Sequence, residues 1–146
     1  MEMQNFTPGA PGKGMLTVCG ILYIVFGGMS LLVGMLALFG AAVMAELGEF
    51  AAMDMVGATA GFLAIISILV LIQSGFSIFV GIVAIKNAAV LAKATFVRTV
   101  VIIHLVMLIL TVALDFSLWA LAGLVVPIIA LIGAQKNVQA NEYNRE

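Results

Sequence analysis

The fold is decided by a stretch that contains no charged residue, GMLTVCGILYIVFGGMSLLVGMLALFGAAVMA, at positions 14–45. Three further apolar stretches follow, at 55–85, at 99–114 with His104 as the only ionisable residue, and at 116–135. A helix that crosses a bilayer needs about 20 consecutive apolar residues. Strands of this number and length would leave backbone groups unsatisfied in lipid, because they cannot close into a barrel. We therefore predict four transmembrane helices.

The predicted fold class is all-α: an integral membrane protein with four transmembrane helices in an up-down-up-down bundle and both termini in the cytoplasm. Residues 1–14 are predicted to form a flexible cytoplasmic N-terminus and residues 136–146 a cytoplasmic tail. Between them lies a transmembrane domain at 15–135, with helices predicted at 15–45, 57–85, 94–114 and 117–135.

The composition of the chain excludes several classes of soluble protein. Of its 146 residues, 64% are hydrophobic and 9% are charged, and the mean hydropathy is +1.28. A soluble domain carries about 25% charged residues, so six Lys/Arg and seven Asp/Glu cannot cover a water-exposed surface. Soluble enzymes, nucleic-acid-binding proteins and disordered proteins are therefore excluded. The single cysteine, Cys19, allows neither a disulfide framework nor a redox pair within the chain.

The basic residues indicate the orientation in the membrane. In the predicted topology all of them lie on one side: Lys13, Lys86, Lys93, Arg98, Lys136 and Arg145. The opposite side holds acids and no base: Glu46, Glu49, Asp54 and Asp115. The positive-inside rule then puts both termini in the cytoplasm. The general form resembles the small four-helix proteins of bacterial membranes, so we expect a multi-pass protein of the plasma membrane, namely a bacterial inner (cytoplasmic) membrane.

Small residues recur at every seventh position of the first two predicted helices. Helix one carries Gly20, Gly27, Gly34 and Ala41, and helix two carries Ala60, Ser67, Ser74 and Gly81. A seven-residue repeat keeps one stripe facing a partner helix, and in lipid small residues allow backbones to approach closely. We predict that these eight residues form a helix-packing seam between two antiparallel helices. The competing interpretation is that Gly, Ala and Ser are simply common in membrane helices.

A second small-residue motif, G-x-x-x-G, occurs at Gly57 and Gly61. Such a motif can form the face on which two transmembrane helices dimerise. It lies at the end of the predicted span, so we interpret it as a loop before helix two rather than as a dimer face.

A group of polar residues is predicted near the middle of the membrane: His104, Gln73, Ser74 and Ser30. An ionisable residue inside a membrane is a functional candidate. A neutral imidazole has one donor and one acceptor, and the Gln73 amide can pair with both. The group would either set helix register through hydrogen bonds or contact a proton or substrate in a small transporter. Haem or metal ligation would need a second histidine from another subunit, and we predict no metal and no cofactor.

Pro127 is predicted to bend helix four, because it lacks a backbone donor and its ring pushes against the carbonyl of Gly123. The bend would be either a packing kink or a gating hinge.

The function that we expect is not enzymatic, and we predict no catalytic residue. The first hypothesis is a multi-pass membrane protein that acts by helix–helix association, as a homo-oligomer or as a subunit or accessory of a membrane complex. Its expected partners are the lipid bilayer and a second copy of the chain or another membrane protein, with no nucleic acid. The alternative is a small transporter or channel whose path is lined by His104 and Gln73.

Overall fold

The long apolar stretches form long helices. A computed structural model describes residues 9–50, 54–114, 121 and 123–145. Within these residues the helices are α1 (Lys13–Phe50), α2 (Asp54–Asn87), α3 (Ala94–Leu114) and α4 (Val125–Tyr143), and a single 3-10 turn (Leu91–Lys93) precedes α3. The regular structure of the described part of the chain is therefore all-helical, as predicted.

Three of these helices are long and apolar enough to cross a membrane. The qualifying stretches are Lys13–Gly48, Val56–Asn87 and Leu91–Ala113. α4, with 19 residues, is shorter. At about 1.5 Å per residue, the 38 residues of α1 and the 34 residues of α2 exceed the roughly 30 Å of a hydrocarbon core. The fourth crossing and the bundle topology stay predictions.

The first three helices match the predicted positions, with longer ends for the first two. α3 has the predicted bounds of 94–114. α1 ends at Phe50 rather than at 45, and α2 begins at Asp54 rather than at 57. The predicted end of α1 follows the loss of hydropathy, but the backbone stays helical through Glu46, Leu47 and Glu49, because Glu and Leu have high helix propensity.

The predicted end of the fourth helix at 135 is wrong. α4 ends at Tyr143, so most of the predicted tail at 136–146 is helical. Gln, Lys, Ala and Glu are strong helix formers, and they continue the helix after its apolar part has ended. The predicted start of this helix at 117 and the predicted hairpin turn around Asp115 lie outside the described residues.

The chain divides into two compact units. The first consists of Met1–Tyr23 and Phe79–Glu146, and the second of Ile24–Ile78. The described core of the first unit takes apolar side chains from all four helices, including Leu16, Tyr23, Val80, Ala84, Val97, Val101, Ala130 and Ala134. The second unit is a pair of long helical segments whose large apolar side chains, such as Leu36 and Phe62, are mostly exposed.

A fully buried side chain of α4, Asn137, joins three segments of the first unit. Its Oδ1 accepts a hydrogen bond of 2.6 Å from the Gly12 backbone N–H, and its Nδ2 donates one of 3.0 Å to the Ala88 carbonyl. The two neighbours fix the orientation of the amide, because one is a donor and the other is an acceptor. Asn137 thus connects the start of α1, the turn after α2 and α4.

Two glycines allow the start of α1 to meet the backbone of α4. A Cβ at Gly12 would overlap the carbonyl oxygen of Gly133, and a Cβ at Gly133 would stand 2.9 Å from the Met15 Cβ. Gly12 is also buried, and its carbonyl accepts the 3.0 Å bond from the Leu16 N–H that begins α1. α1 therefore begins at Lys13, inside the segment predicted as a flexible N-terminus, and Gly12 contacts α4. The flexibility of this segment stays a prediction, and residues 1–8 lie outside the described part.

Pro127 lies in the first turn of α4 and is buried. The first backbone N–H groups of a helix have no partner within the helix, so a proline there removes no helical hydrogen bond. The bend that we predict at Pro127 stays a prediction, because most of the residues of the span before Leu121 lie outside the described part.

We expect Asn137→Ala to lower the free energy of unfolding by about 1–3 kcal/mol, because it leaves the buried Gly12 N–H and Ala88 carbonyl without partners. Denaturant or thermal unfolding of the purified chain in detergent measures this loss. Asn144→Ala, at an exposed asparagine just beyond α4, is the matched control and should change little. Equal stability of the two variants would contradict the assigned contact.

Candidate functional site

The glycines predicted as a seam lie against α2 in the second unit. A Cβ at Gly27 would stand 2.9 Å from Ile78 Cγ1 and 3.1 Å from the carbonyl oxygen of Ser74. A Cβ at Gly34 would stand 3.0 Å from Leu71 Cδ2. Real Cβ atoms are rarely this close to other atoms, so the two helices can pass at this distance only where side chains are missing.

The same arrangement occurs in the first unit. A Cβ at Gly20 would stand 2.9 Å from the carbonyl oxygen of Gly81 and 2.6 Å from Ile85 Cγ1. In the second unit, positions later in α1 contact positions earlier in α2, so these two segments are antiparallel. All eight predicted seam residues are buried: Gly20, Gly27, Gly34, Ala41, Ala60, Ser67, Ser74 and Gly81. That these residues hold the helices together in lipid stays a prediction.

The seam extends further than the sequence analysis placed it. Gly48, seven residues after Ala41, is buried, and a Cβ there would stand 3.2 Å from the Gly57 N and 3.2 Å from Val56 Cγ1. The seven-residue spacing already contained this signal, but Gly48 follows the charged Glu46 and the predicted helix end at 45.

The two serines of the seam satisfy their hydroxyl groups within α2. Ser67 Oγ donates to the Leu63 carbonyl and Ser74 Oγ donates to the Val70 carbonyl, both at 2.7 Å. Such a bond to the carbonyl four residues earlier removes the cost of a polar hydrogen inside lipid. Serine can therefore act at this contact as a small residue, much as glycine and alanine do.

A second set of glycines points away from the seam. A Cβ at Gly28 or Gly40 of α1, or at Gly57, Gly61 or Gly75 of α2, would have no described heavy atom within 4 Å other than its helix's own. The interpretation of Gly57 and Gly61 as a loop is wrong, because α2 begins at Asp54 and both lie inside the helix. Both are also exposed.

His104 lies in the core of the first unit, where it contacts an aromatic ring of α1. The side chain is 2% exposed, and its ring centroid lies 5.0 Å from that of Tyr23, at an interplanar angle of 70°. This edge-to-face geometry is a favourable arrangement of two rings. Sequence analysis missed Tyr23, although it is the only tyrosine in the first apolar stretch.

The other members of the predicted polar group lie in the second unit. Ser74 is buried in the seam, Gln73 is half-buried, and Ser30 is exposed. Ser30 lies three residues after Gly27 and four before Gly34, on the same side of α1, but its side chain is exposed. That the four residues form one polar site in the membrane stays a prediction.

Two cavities lie against α4 in the first unit. A groove of about 680 Å³ lies between α3 and α4, and its lining includes Arg98, Gln135 and Lys136. A smaller apolar cavity of about 340 Å³ lies between α1 and α4, beside Cys19 and Ile129. Neither is lined by His104, Gln73, Ser74 or Ser30.

Among the described residues, no group of three or more His, Cys, Asp or Glu side chains could hold a metal ion. The chain matches no protein-family model, no curated protein and no solved structure. Its function must therefore be inferred from its own residues.

Sequence analysis also missed Asn137, whose side chain bonds to two segments distant in sequence. It stands in the sequence Ala134-Gln135-Lys136-Asn137, which resembles Ala84-Ile85-Lys86-Asn87 at the end of α2. Both asparagines are buried, and Asn87 Nδ2 donates to the Val83 carbonyl at 2.9 Å. The similarity of these two segments was the available signal. Asn137 follows Lys136, however, and falls within the segment 136–146 that the sequence predicts to be a cytoplasmic tail.

We expect Gly27→Leu to destabilise the α1–α2 pair by about 1–3 kcal/mol, because the new side chain must enter a filled contact. Gly28→Leu adds the same side chain one residue later, where space is open, and should leave stability nearly unchanged. Thermal unfolding of both variants in detergent gives the comparison. Similar midpoints for Gly27→Leu and the parent chain would show that the seam does not hold the pair.

Proposed function

We propose that this chain is a multi-pass, non-enzymatic membrane protein that acts by helix–helix association. It crosses the plasma membrane four times, keeps both termini in the cytoplasm, and assembles as a homo-oligomer or as a subunit of a larger membrane complex. The length and hydropathy of α1, α2 and α3 support the membrane location. The observation that carries the association is the set of glycines directed away from the α1–α2 seam.

A glycine inside a helix lowers its stability by about 1 kcal/mol relative to alanine. At Gly20, Gly27 and Gly34 the close passage of α2 accounts for the missing side chain. A Cβ at Gly57, Gly61 or Gly75 would meet no described heavy atom of this kind within 4 Å, although the backbone N of Gly57 lies beside Gly48 of α1. Gly57 and Gly61 lie one helical turn apart on an exposed surface of α2, as in motifs on which transmembrane helices dimerise. We expect a helix of a neighbouring molecule to pack against that surface.

The distribution of charge supports the proposed orientation. All six basic residues belong to the first unit, whereas Glu46, Glu49 and Asp54 belong to the second. The hydrogen bonds of Asn137 join segments that carry Lys13, Lys86 and Lys136 within two residues of the bonded positions. One end of the first unit therefore gathers positive charge, which favours the cytoplasmic side of a membrane.

We expect the double variant Gly57→Leu, Gly61→Leu to weaken self-association, because two leucines prevent the backbones from meeting. The dissociation constant should rise at least about tenfold, which corresponds to about 1.4 kcal/mol. Energy transfer between donor-labelled and acceptor-labelled chains in bilayers measures the constant.

Ala42→Leu is the control, because it adds the same bulk at an exposed position of α1. A parent chain that is monomeric in bilayers would exclude the homo-oligomer. If the chain is instead a subunit of a larger complex, a second membrane protein should co-purify with the parent chain from its native membrane. The same protein should not co-purify with the double variant. If the dissociation constant is the same for the parent chain and the double variant, the proposed role of the surface at Gly57 and Gly61 is wrong.

A separate test addresses the orientation. Single cysteines at Lys93 and at Asn144, in a chain with Cys19→Ala, should resist a membrane-impermeant thiol reagent in intact cells and react after the cells are opened. A cysteine at Glu46 should react without opening, since it belongs to the acidic side. If the cysteine at position 93 is labelled in intact cells, the proposed orientation is wrong.

A further inference from the structure

The groove between α3 and α4 has a basic end and an apolar end. Arg98 and Lys136 are its charged lining residues, and among the described residues no carboxylate lines it. Arg98 is held in place by a 3.2 Å hydrogen bond from its guanidinium to Gln135 Oε1. A guanidinium has five N–H donors, so this bond positions the group and leaves further donors for a ligand.

The apolar end lies deeper along the same two helices. Ile102 and Ile103 follow Arg98 by about one turn of α3, and Leu131 and Ile132 precede Gln135 by about one turn of α4. α3 and α4 are therefore antiparallel here, and their apolar side chains meet at one level below the basic residues. Ile103 and Ile132 are about half exposed, so they present apolar surface to whatever lies in the groove.

We propose that this groove is a binding site for an anionic phospholipid, with the phosphate at Arg98 and Lys136 and one acyl chain along Ile103 and Ile132. Clusters of Lys and Arg on the cytoplasmic side of membrane helices attract anionic headgroups, and guanidinium groups pair well with phosphate oxygens. The amides of Gln135 and Gln139, which also line the groove, can donate to a glycerol or phosphate oxygen.

The combination of both ends selects this ligand class. A soluble phosphate would use the charges but leave the isoleucines without a partner, and an apolar helix would bury Lys136 without a counter-charge. Phosphatidylcholine, the zwitterionic lipid of the test below, carries a quaternary ammonium group, which proteins hold with aromatic rings. Among the described residues no aromatic side chain lines the groove. The site rests on the proposed membrane location and orientation, with α3 and α4 both in contact with lipid, and it is independent of the association through Gly57 and Gly61.

The test uses the full chain in nanodiscs of equimolar phosphatidylglycerol and phosphatidylcholine, followed by native mass spectrometry of the released protein. We expect one phosphatidylglycerol to be retained per chain in preference to phosphatidylcholine. Arg98→Gln and Lys136→Gln should each weaken retention about fivefold, the effect of removing one charge near an anionic surface. Arg98→Lys and Lys136→Arg should retain the lipid better than the glutamine variants.

Two matched controls separate a site from general attraction to a basic surface. Lys93→Gln removes the same charge at an exposed lysine outside the groove lining and should leave retention unchanged. Ile132→Phe should reduce retention by filling the groove while both charges remain. Ile109→Phe makes the same change at an exposed α3 residue outside the groove and should have no effect.

Three results would overturn the proposal: equal retention of the two lipids, an equal loss with Lys93→Gln and Lys136→Gln, or displacement of the lipid by inorganic phosphate added to the detergent solution. The last would identify the groove as a site for a soluble anion. Thermal unfolding of each variant without lipid verifies folding, and if a glutamine variant does not fold, the Ile132→Phe and Ile109→Phe pair decides.

Discussion

The close approach of two backbones is the feature of the α1–α2 pair on which the predicted association of these helices in lipid depends. In lipid, apolar side chains gain little by leaving the acyl chains, so helices are held by contacts that exist only at short range. Gly20, Gly27 and Gly34 allow this short distance between helices because they have no side chain where α2 passes. Ser67 and Ser74 on the opposite helix are small, and their hydroxyl groups donate hydrogen bonds to backbone carbonyls of the same helix. The contact therefore combines a short distance between backbones with hydrogen-bonded hydroxyl groups at Ser67 and Ser74.

A different principle operates at the basic end of the first unit. There a buried amide, Asn137, pairs with one backbone donor and one backbone acceptor from segments distant in sequence. The same turn of α4 presents Gln135 and Lys136 to the groove beside α3. The contact that sets the position of α4 against α1 and the turn after α2 thus also sets the position of the polar groups that line the groove.

The glycines of this chain serve two different surfaces. Those of the seam are explained by the neighbouring helix of the same molecule, whereas Gly57, Gly61 and Gly75 keep space that the described chain does not fill. Large apolar side chains surround this second set, which suits lipid as well as protein. A surface of this kind lets a helix exchange lipid for a partner without exposing polar groups, and the proposed association depends on that exchange.

The sequence by itself determined the helical class, the three long apolar helices, the bounds of α3 and the residues of the seven-residue repeat. These properties are local: hydropathy depends on neighbours in the chain, and helical periodicity relates residues one or two turns apart. Only the tertiary structure decided that Asn137 is buried, that Ser30 is exposed, that Tyr23 lies beside His104, and that Arg98 and Lys136 share a groove. The reason is physical: Asn137 meets residues 125 and 49 positions away, and the free energy of a polar side chain depends on which distant groups surround it rather than on its neighbours in sequence.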